Sequence, residues 1–158
     1  MDTDPLARVV LAVLVLACFA AFFITQRLKH TPTAVQQFQL AGAFSPFPSG
    51  HIKQEPISFK LARADDVTVA IIDSSGDVVA TLVHDQPVER YKQFSLRWSG
   101  RRGDARGAAV QRTPRGRVVL VPRNRGAIAA AGEYRVRVSL RRQGLTISSP
   151  RSFTLVDP

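Results

Sequence analysis

The chain has 158 residues, with 22 Lys and Arg against 12 Asp and Glu, a formal net charge of +10, and one cysteine. A lone cysteine excludes an intrachain disulfide and a thiolate metal site, so a fold of this size must be held by packing. The positive excess favours anionic partners such as phospholipid headgroups, an anionic wall polymer or nucleic acid, and it is concentrated: thirteen arginines and no lysine lie between Arg97 and Arg142, offset only by Asp104 and Glu133.

After a short tail of residues 1–5, Val9 to Ile24 (VVLAVLVLACFAAFFI) runs without a charge. Extending the stretch to residues 6–28 supplies the roughly twenty helical residues that a hydrocarbon core needs, so a single transmembrane helix in contact with the lipid bilayer is expected there. Three readings of it compete. A cleaved signal peptide wants a basic n-region and a small-x-small site, whereas this segment opens with Asp2 and Asp4 and closes with Phe22-Phe23-Ile24. Val15-Leu16-Ala17-Cys18 loosely resembles a bacterial lipobox, which would lipidate Cys18, but the apolar run continues past the cysteine. An uncleaved signal-anchor is the preferred reading. Arg8 and the terminal amine on one side nearly balance Arg27 and Lys29 on the other, with a weak lean toward a cytoplasmic C-terminal domain, so charge does not settle the orientation of the helix.

Residues 29–43 are expected to be a juxtamembrane linker: Pro32 ends the helix near His30, and Thr31 to Gln39 has no sustained apolar period. From Phe44 the pattern becomes one of short strands. Ile57 to Leu61 alternates apolar and polar, the period of a half-buried strand. Val67 to Ile72 and Val78 to Val83 are β-branched runs joined by Asp73-Ser74-Ser75-Gly76-Asp77, which predicts a hairpin. Phe94 to Trp98 alternates again, with Phe94, Leu96 and Trp98 on one face. Ser99 to Gly116 is rich in Gly and Arg and too poor in apolar residues to be core. Arg117 to Val121 is a short expected strand, and Pro122 to Ala131 returns to loop. Tyr134 to Leu140 is the cleanest alternation, and Arg141-Arg142-Gln143-Gly144 turns into Leu145 to Ile147, followed by Phe153 to Val156. Seven or eight strands with turn signals between them, and no amphipathic helix, predict an all-β, antiparallel sandwich over residues 44–158.

Phe44-Ser45-Pro46, Val67 to Asp73, Gly76 to Leu82, Leu96-Arg97-Trp98-Ser99-Gly100 and Ala131 to Val136 stand in the order of the corresponding elements of the FlgD-type immunoglobulin-like domain. Over Phe44 to Val156 the chain resembles that module, which is found in flagellar hook-cap proteins and in many bacterial envelope and secreted proteins. The resemblance implies an immunoglobulin/fibronectin-III-like sandwich without catalytic activity, held outside the cytoplasm with the helix as its anchor. The connection between Gly107 and Gly132 is longer than the module's usual one, so residues 111–130 read as an Arg-rich insertion.

Little in the chain suggests chemistry. His30, His51 and His84 are far apart and lack metal-ligand spacing. No serine sits in a nucleophile elbow, and Asp65-Asp66 reads as a turn. Gly100, Gly103 and Gly107 lack the lysine of a phosphate cradle, and Arg102-Gly103-Asp104, though it spells an adhesion tripeptide, arises easily in such a loop. No catalytic residue, metal or cofactor is expected. The arginines are the candidate site: Arg97, Arg101, Arg102, Arg106, Arg115, Arg117, Arg135, Arg137 and Arg141 could share one basic surface. The bland counterpart is a solvated face that protects strand edges. Two functions follow. One is a membrane-anchored extracytoplasmic module with a structural role or a partner such as anionic headgroups, a wall polymer or another envelope protein. The alternative is a membrane-tethered nucleic-acid binder, disfavoured because Ser99 to Glu133 contains no aromatic residue.

Overall fold

The structure, a computed structural model, describes residues 5–29 and 33–157, and within the helix the side chains of residues 9–22. The chain divides into two compact units, Met1–Thr33 and Ala34–Pro158.

The first unit holds one helix, α1 (Pro5–Lys29). Proline suits the first helical position because its missing N–H would have no partner in the helix anyway. Every described side chain from Val9 to Phe22 is apolar and exposed, so the helix has no polar face over those four turns. Fourteen residues make about 21 Å of helix, against about 30 Å of hydrocarbon in a bilayer. Among the described residues, therefore, no helix is long and apolar enough to cross a membrane. Much of the rest of the expected span, residues 6–8 and 23–28, lies outside the described side chains, as do His30 and Pro32.

The second unit is built from β1 (Val35–Leu40), β2 (Ala43–Phe44), β3 (Glu55–Leu61), β4 (Asp65–Ile72), β5 (Val78–Val88), β6 (Gln93–Trp98), β7 (Gly103–Asp104), β8 (Ala108–Arg112), β9 (Val118–Pro122), β10 (Gly132–Leu140), β11 (Leu145–Ser148) and β12 (Phe153–Leu155). They form two sheets, a five-stranded one in the order β1-β3-β6-β9-β8 and a seven-stranded one in the order β2-β12-β10-β4-β5-β7, with β11 also on β10. The sheets are mixed rather than purely antiparallel as expected: β2 with β12, β5 with β7, and β6 with β9 pair parallel, each over one or two residues.

Alternation decides what each sheet buries. Ile57, Phe59 and Leu61 of β3 point inward with Leu96 and Trp98 of β6, and they meet Val67, Val69 and Ile71 of β4 and Tyr134, Val136, Val138 and Leu140 of β10 in one core. Trp98 is fully buried, with its ring 5.6 Å from Phe44, 5.6 Å from Tyr134 and 5.9 Å from Phe153, all three on the opposite sheet. Its Nε1–H donates to Arg101 O at 2.9 Å. The Tyr134 hydroxyl donates to Ala130 O at 2.6 Å, so the polar tip of each large ring is satisfied while its body fills the core.

The expected hairpin is β4–β5. Asp73 Oδ1 accepts from the N–H groups of Ser75 and Asp77, and Gly76 takes the positive φ of 88° that the turn requires. The turn after β10 is pinned from elsewhere. Asp65, expected in a turn of its own, is buried at the start of β4 and accepts from Arg142 N–H at 2.7 Å, Gln143 N–H at 3.1 Å and Gln143 Nε2 at 2.9 Å. Strands β11 and β12 both line β10, but Ser149 to Ser152 loop out opposite only Arg135 and Val136.

One expected boundary is corrected. The sandwich begins at Ala34, not at Phe44, because β1 pairs with β3 and β2 with β12, so residues 34–43 are strand and turn rather than linker. Residues 111–130, read as an Arg-rich insertion, are built into the sandwich. Gln111 and Arg112 end β8, β9 extends the five-stranded sheet, and residues 123–130 fold back on Ser99 to Gly107 through Arg123 N–H to Gly107 O, Arg102 N–H to Ala127 O and Ala129 N–H to Gly100 O.

Candidate anion-binding groove

The nine arginines expected on one surface fall into three places. Arg97 lies on β6 of the five-stranded sheet, while Arg135 and Arg137 lie on β10 of the seven-stranded sheet. Each points outward, because Leu96 and Trp98 on one strand and Tyr134, Val136 and Val138 on the other point into the shared core. They therefore occupy opposite outer faces of the sandwich and cannot touch one ligand together. Arg141 follows β10 on its own side.

The second group, Arg101, Arg102 and Arg106, belongs to the Ser99 to Gly107 segment and is mainly architectural. Arg101 donates through Nη1 to Gly126 O at 3.2 Å, and a Cβ at Gly126 would come within 2.5 Å of Arg102 O, so only glycine fits that approach. Buried Asn124 adds a bond from Nδ2 to Thr81 O at 3.0 Å and another to Gly103 O. Asp104 and Gly103 are paired in β7, so the Arg-Gly-Asp tripeptide is held along a sheet edge instead of at a loop tip.

The third group forms a site. Arg97, Arg115 and Arg117 line a groove of about 360 Å³ on the outer face of the five-stranded sheet. The β8–β9 hairpin supplies two of them. Its turn, Thr113-Pro114-Arg115-Gly116-Arg117, is closed by Thr113 N–H to Arg117 O at 2.9 Å, Gly116 N–H to Thr113 O at 2.8 Å and Arg117 N–H to Thr113 Oγ1 at 3.1 Å. Pro114 fixes one φ and Gly116 supplies the positive one, 75°, so the two arginines are carried on a short constrained loop. The floor is a polar row: Gln93 Nε2 donates to Ser58 Oγ at 3.3 Å, and Ser58 Oγ donates to Gln39 Oε1 at 3.2 Å. That row crosses β6, β3 and β1, with Ser95 directly opposite Ser58. A smaller hollow adjoins the groove through Gln39, Gln93 and Arg117 and brings in Lys60.

Among the described residues, no carboxylate and no aromatic ring lines the groove. Among the described residues, none of its three guanidinium groups makes an ion pair. On the other face two arginines are paired, while among the described residues Arg135 and Arg137 make no ion pair. Arg141 pairs with Asp85 at 3.0 Å and Arg142 with Asp66 at 3.2 Å, and Arg135 shares its hollow with Asp73 and Glu133. Chemically, the groove can bind anionic oxygen atoms, since guanidinium donates five N–H groups and accepts none.

Sequence reasoning finds Arg97, Arg115 and Arg117 but passes over Gln39, Ser58, Gln93, Ser95 and Thr113. Their only signal is the strand period, which turns Ser58, Gln93, Ser95 and Arg97 to the same side. Among the described residues no three His, Cys, Asp or Glu gather as metal ligands. No family model matches the chain, and no curated protein matches it.

Proposed function

We propose that the chain is a membrane-tethered, non-catalytic interaction module: an immunoglobulin-like sandwich of the FlgD type, displayed outside the cytoplasm by the apolar helix that precedes it. The observation that carries the reading is the helix. Fourteen consecutive described residues are apolar and exposed on all sides, inside an apolar run of sixteen, Val9 to Ile24, in the sequence, and a helix apolar all round belongs in a core or in lipid. The absence of catalysis is supported by the fate of the buried acids. Glu55 and Asp65 lie on different sheets and so form no carboxylate pair; Asp65 accepts from the backbone N–H groups of Asp66, Arg142 and Gln143, and Glu55 from that of Ala41. The outward orientation rests on the resemblance.

Cell fractionation tests the tether. The full chain should sediment with membranes and resist alkaline extraction, and a Val13→Arg/Leu16→Arg variant should release it to the soluble fraction. Recovery of the unaltered chain in the soluble fraction would sink the proposal. For orientation, Ala108→Cys in a Cys18→Ser background should react with an impermeant thiol reagent on intact cells; reaction only after lysis would put the sandwich on the other side.

A further inference from the structure

The groove beside Arg97 has a more specific complement than anions in general. Three arginines without carboxylate partners stand over a floor of hydroxyls and carboxamides. Guanidinium recognises phosphate oxygens through paired donors, whereas Ser and Gln both donate and accept and so match alcohols, which also do both. The row from Gln93 through Ser58 to Gln39 is already hydrogen-bonded. Among the described residues, Gln93 Oε1 at one end and Gln39 Nε2 at the other make no hydrogen bond, so the row offers an acceptor and a donor to a ligand. Single-stranded nucleic acid would want rings for its bases to stack on, and a pyranose would want one to cover its apolar face; the groove has none.

We propose that this groove binds a linear polyol phosphate chain, in which hydroxylated carbon units are joined by phosphodiesters. Arg97, Arg115 and Arg117 take the phosphate oxygens, and Ser58, Ser95 and Gln93 take the hydroxyls between them. The assignment rests on reading the sandwich as an interaction module, but not on the tether: a soluble chain that still bound the polymer would remove the anchor alone, and a membrane-bound chain that did not bind would remove the groove alone.

The test is calorimetric titration of the full chain in a non-ionic detergent with a short glycerol phosphate oligomer. Binding is expected, weakening about tenfold or more in Arg97→Gln and in Arg115→Gln/Arg117→Gln, as befits loss of hydrogen bonds to a charged group. Arg135→Gln/Arg137→Gln should bind as the wild type does. Should Arg97→Gln fail to fold by circular dichroism, the hairpin-loop double variant decides the matter, because its positions are exposed and outside the core. Absence of binding overturns the proposal, and so does an equal loss from Arg135→Gln/Arg137→Gln. Equal affinity for a single-stranded DNA oligonucleotide of the same charge reduces the site to polyanion attraction, and tighter binding to phosphatidylglycerol micelles gives it to a lipid headgroup; either result overturns the polymer.

Discussion

The two outer faces of the sandwich carry similar numbers of arginines and put them to different use. On the seven-stranded face Arg141 and Arg142 are neutralised by Asp85 and Asp66 and Arg135 shares a hollow with Asp73 and Glu133, while Arg137 makes no ion pair among the described residues. On the five-stranded face Arg97, Arg115 and Arg117 enclose a groove that, among the described residues, holds no acid. Composition alone, with its excess of positive charge, treats the two as equivalent. What distinguishes them is where the few carboxylates fall, and whether a loop stands over the sheet to make walls.

The comparison has meaning only if both faces belong to one cooperative unit, and Trp98 is the residue that tests it. It is the five-stranded sheet's main insertion among Phe44, Tyr134 and Phe153 of the other. Truncation to Ala should cost about 3–5 kcal/mol, a large part of the stability of a domain this size. Denaturant unfolding should show one transition shifted to lower concentration, with the oligomer-binding groove and the β10–β11 hairpin lost together. Two separate transitions would mean that the sheets fold independently.

How far the sequence displays this architecture depends on what each strand buries. Strands β4, β6 and β10 are plain to read because Val67, Val69 and Ile71, or Tyr134, Val136 and Val138, keep a strict period of two against a core. Strand β1 is hidden by a bulge. Gln37 adopts a φ of 52°, and the pairing register shifts between Gln36 and Gln39. The inward residues Val35, Phe38 and Leu40 are therefore spaced by three and then by two, and the period is broken. Strand β8 is hidden for another reason: Ala108, Val110, Gln111 and Arg112 at the sheet edge are all exposed, so no face is selected. As for the groove, alternation shows that Arg97 and Arg135 both point outward but not that they sit on different sheets. That depends on which strands pair over long range, and the strand period does not record it.

Each sheet also buries one carboxylate, and the two respond to pH in opposite directions. Burial pushes the Asp65 carboxyl up, but hydrogen bonds from Arg142 N–H, Gln143 Nε2, Asp66 N–H and Gln143 N–H outweigh it and hold the group below the ordinary aspartate value. Its stabilisation is present above the unfolded-state value and is lost as pH falls through the lower folded one. Among the described residues, Glu55 accepts from Ala41 N–H at 2.7 Å on Oε1 and its Oε2 has no hydrogen-bond partner, and the Ala41 and Gly42 N–H groups lower its pKa less than burial raises it. Burial therefore wins, and the Glu55 carboxyl is raised. Its protonated form is the favoured one, so its contribution declines as pH rises from the unfolded value through the folded one. Asp65→Asn should cost about 1–3 kcal/mol at neutral pH, because an amide cannot accept what the carboxylate accepts, and the penalty should shrink on acidification. Glu55→Gln should instead gain on the wild type as pH rises. Paired melting curves from pH 3 to pH 8 check both signs, and parallel slopes for the two variants would refute the contrast.

The smallest effect tests whether charge by itself makes a binding face. Asp85 and Arg141 are both well exposed in their ion pair, so breaking it in Asp85→Asn should cost less than about 1 kcal/mol. The substitution is a clean one, because Asp85 has a φ of 42° and asparagine tolerates the left-handed region better than most residues. Combined with Asp66→Asn, it leaves Arg141 and Arg142 as uncompensated as Arg97. If attraction to a phosphate chain needed only unpaired arginines, this double variant would acquire a second site with a stoichiometry visible by calorimetry. The expected result is wild-type stoichiometry, because the freed arginines have neither a hairpin standing over them nor a prearranged row like Gln93, Ser58 and Gln39 to receive the hydroxyls between phosphates.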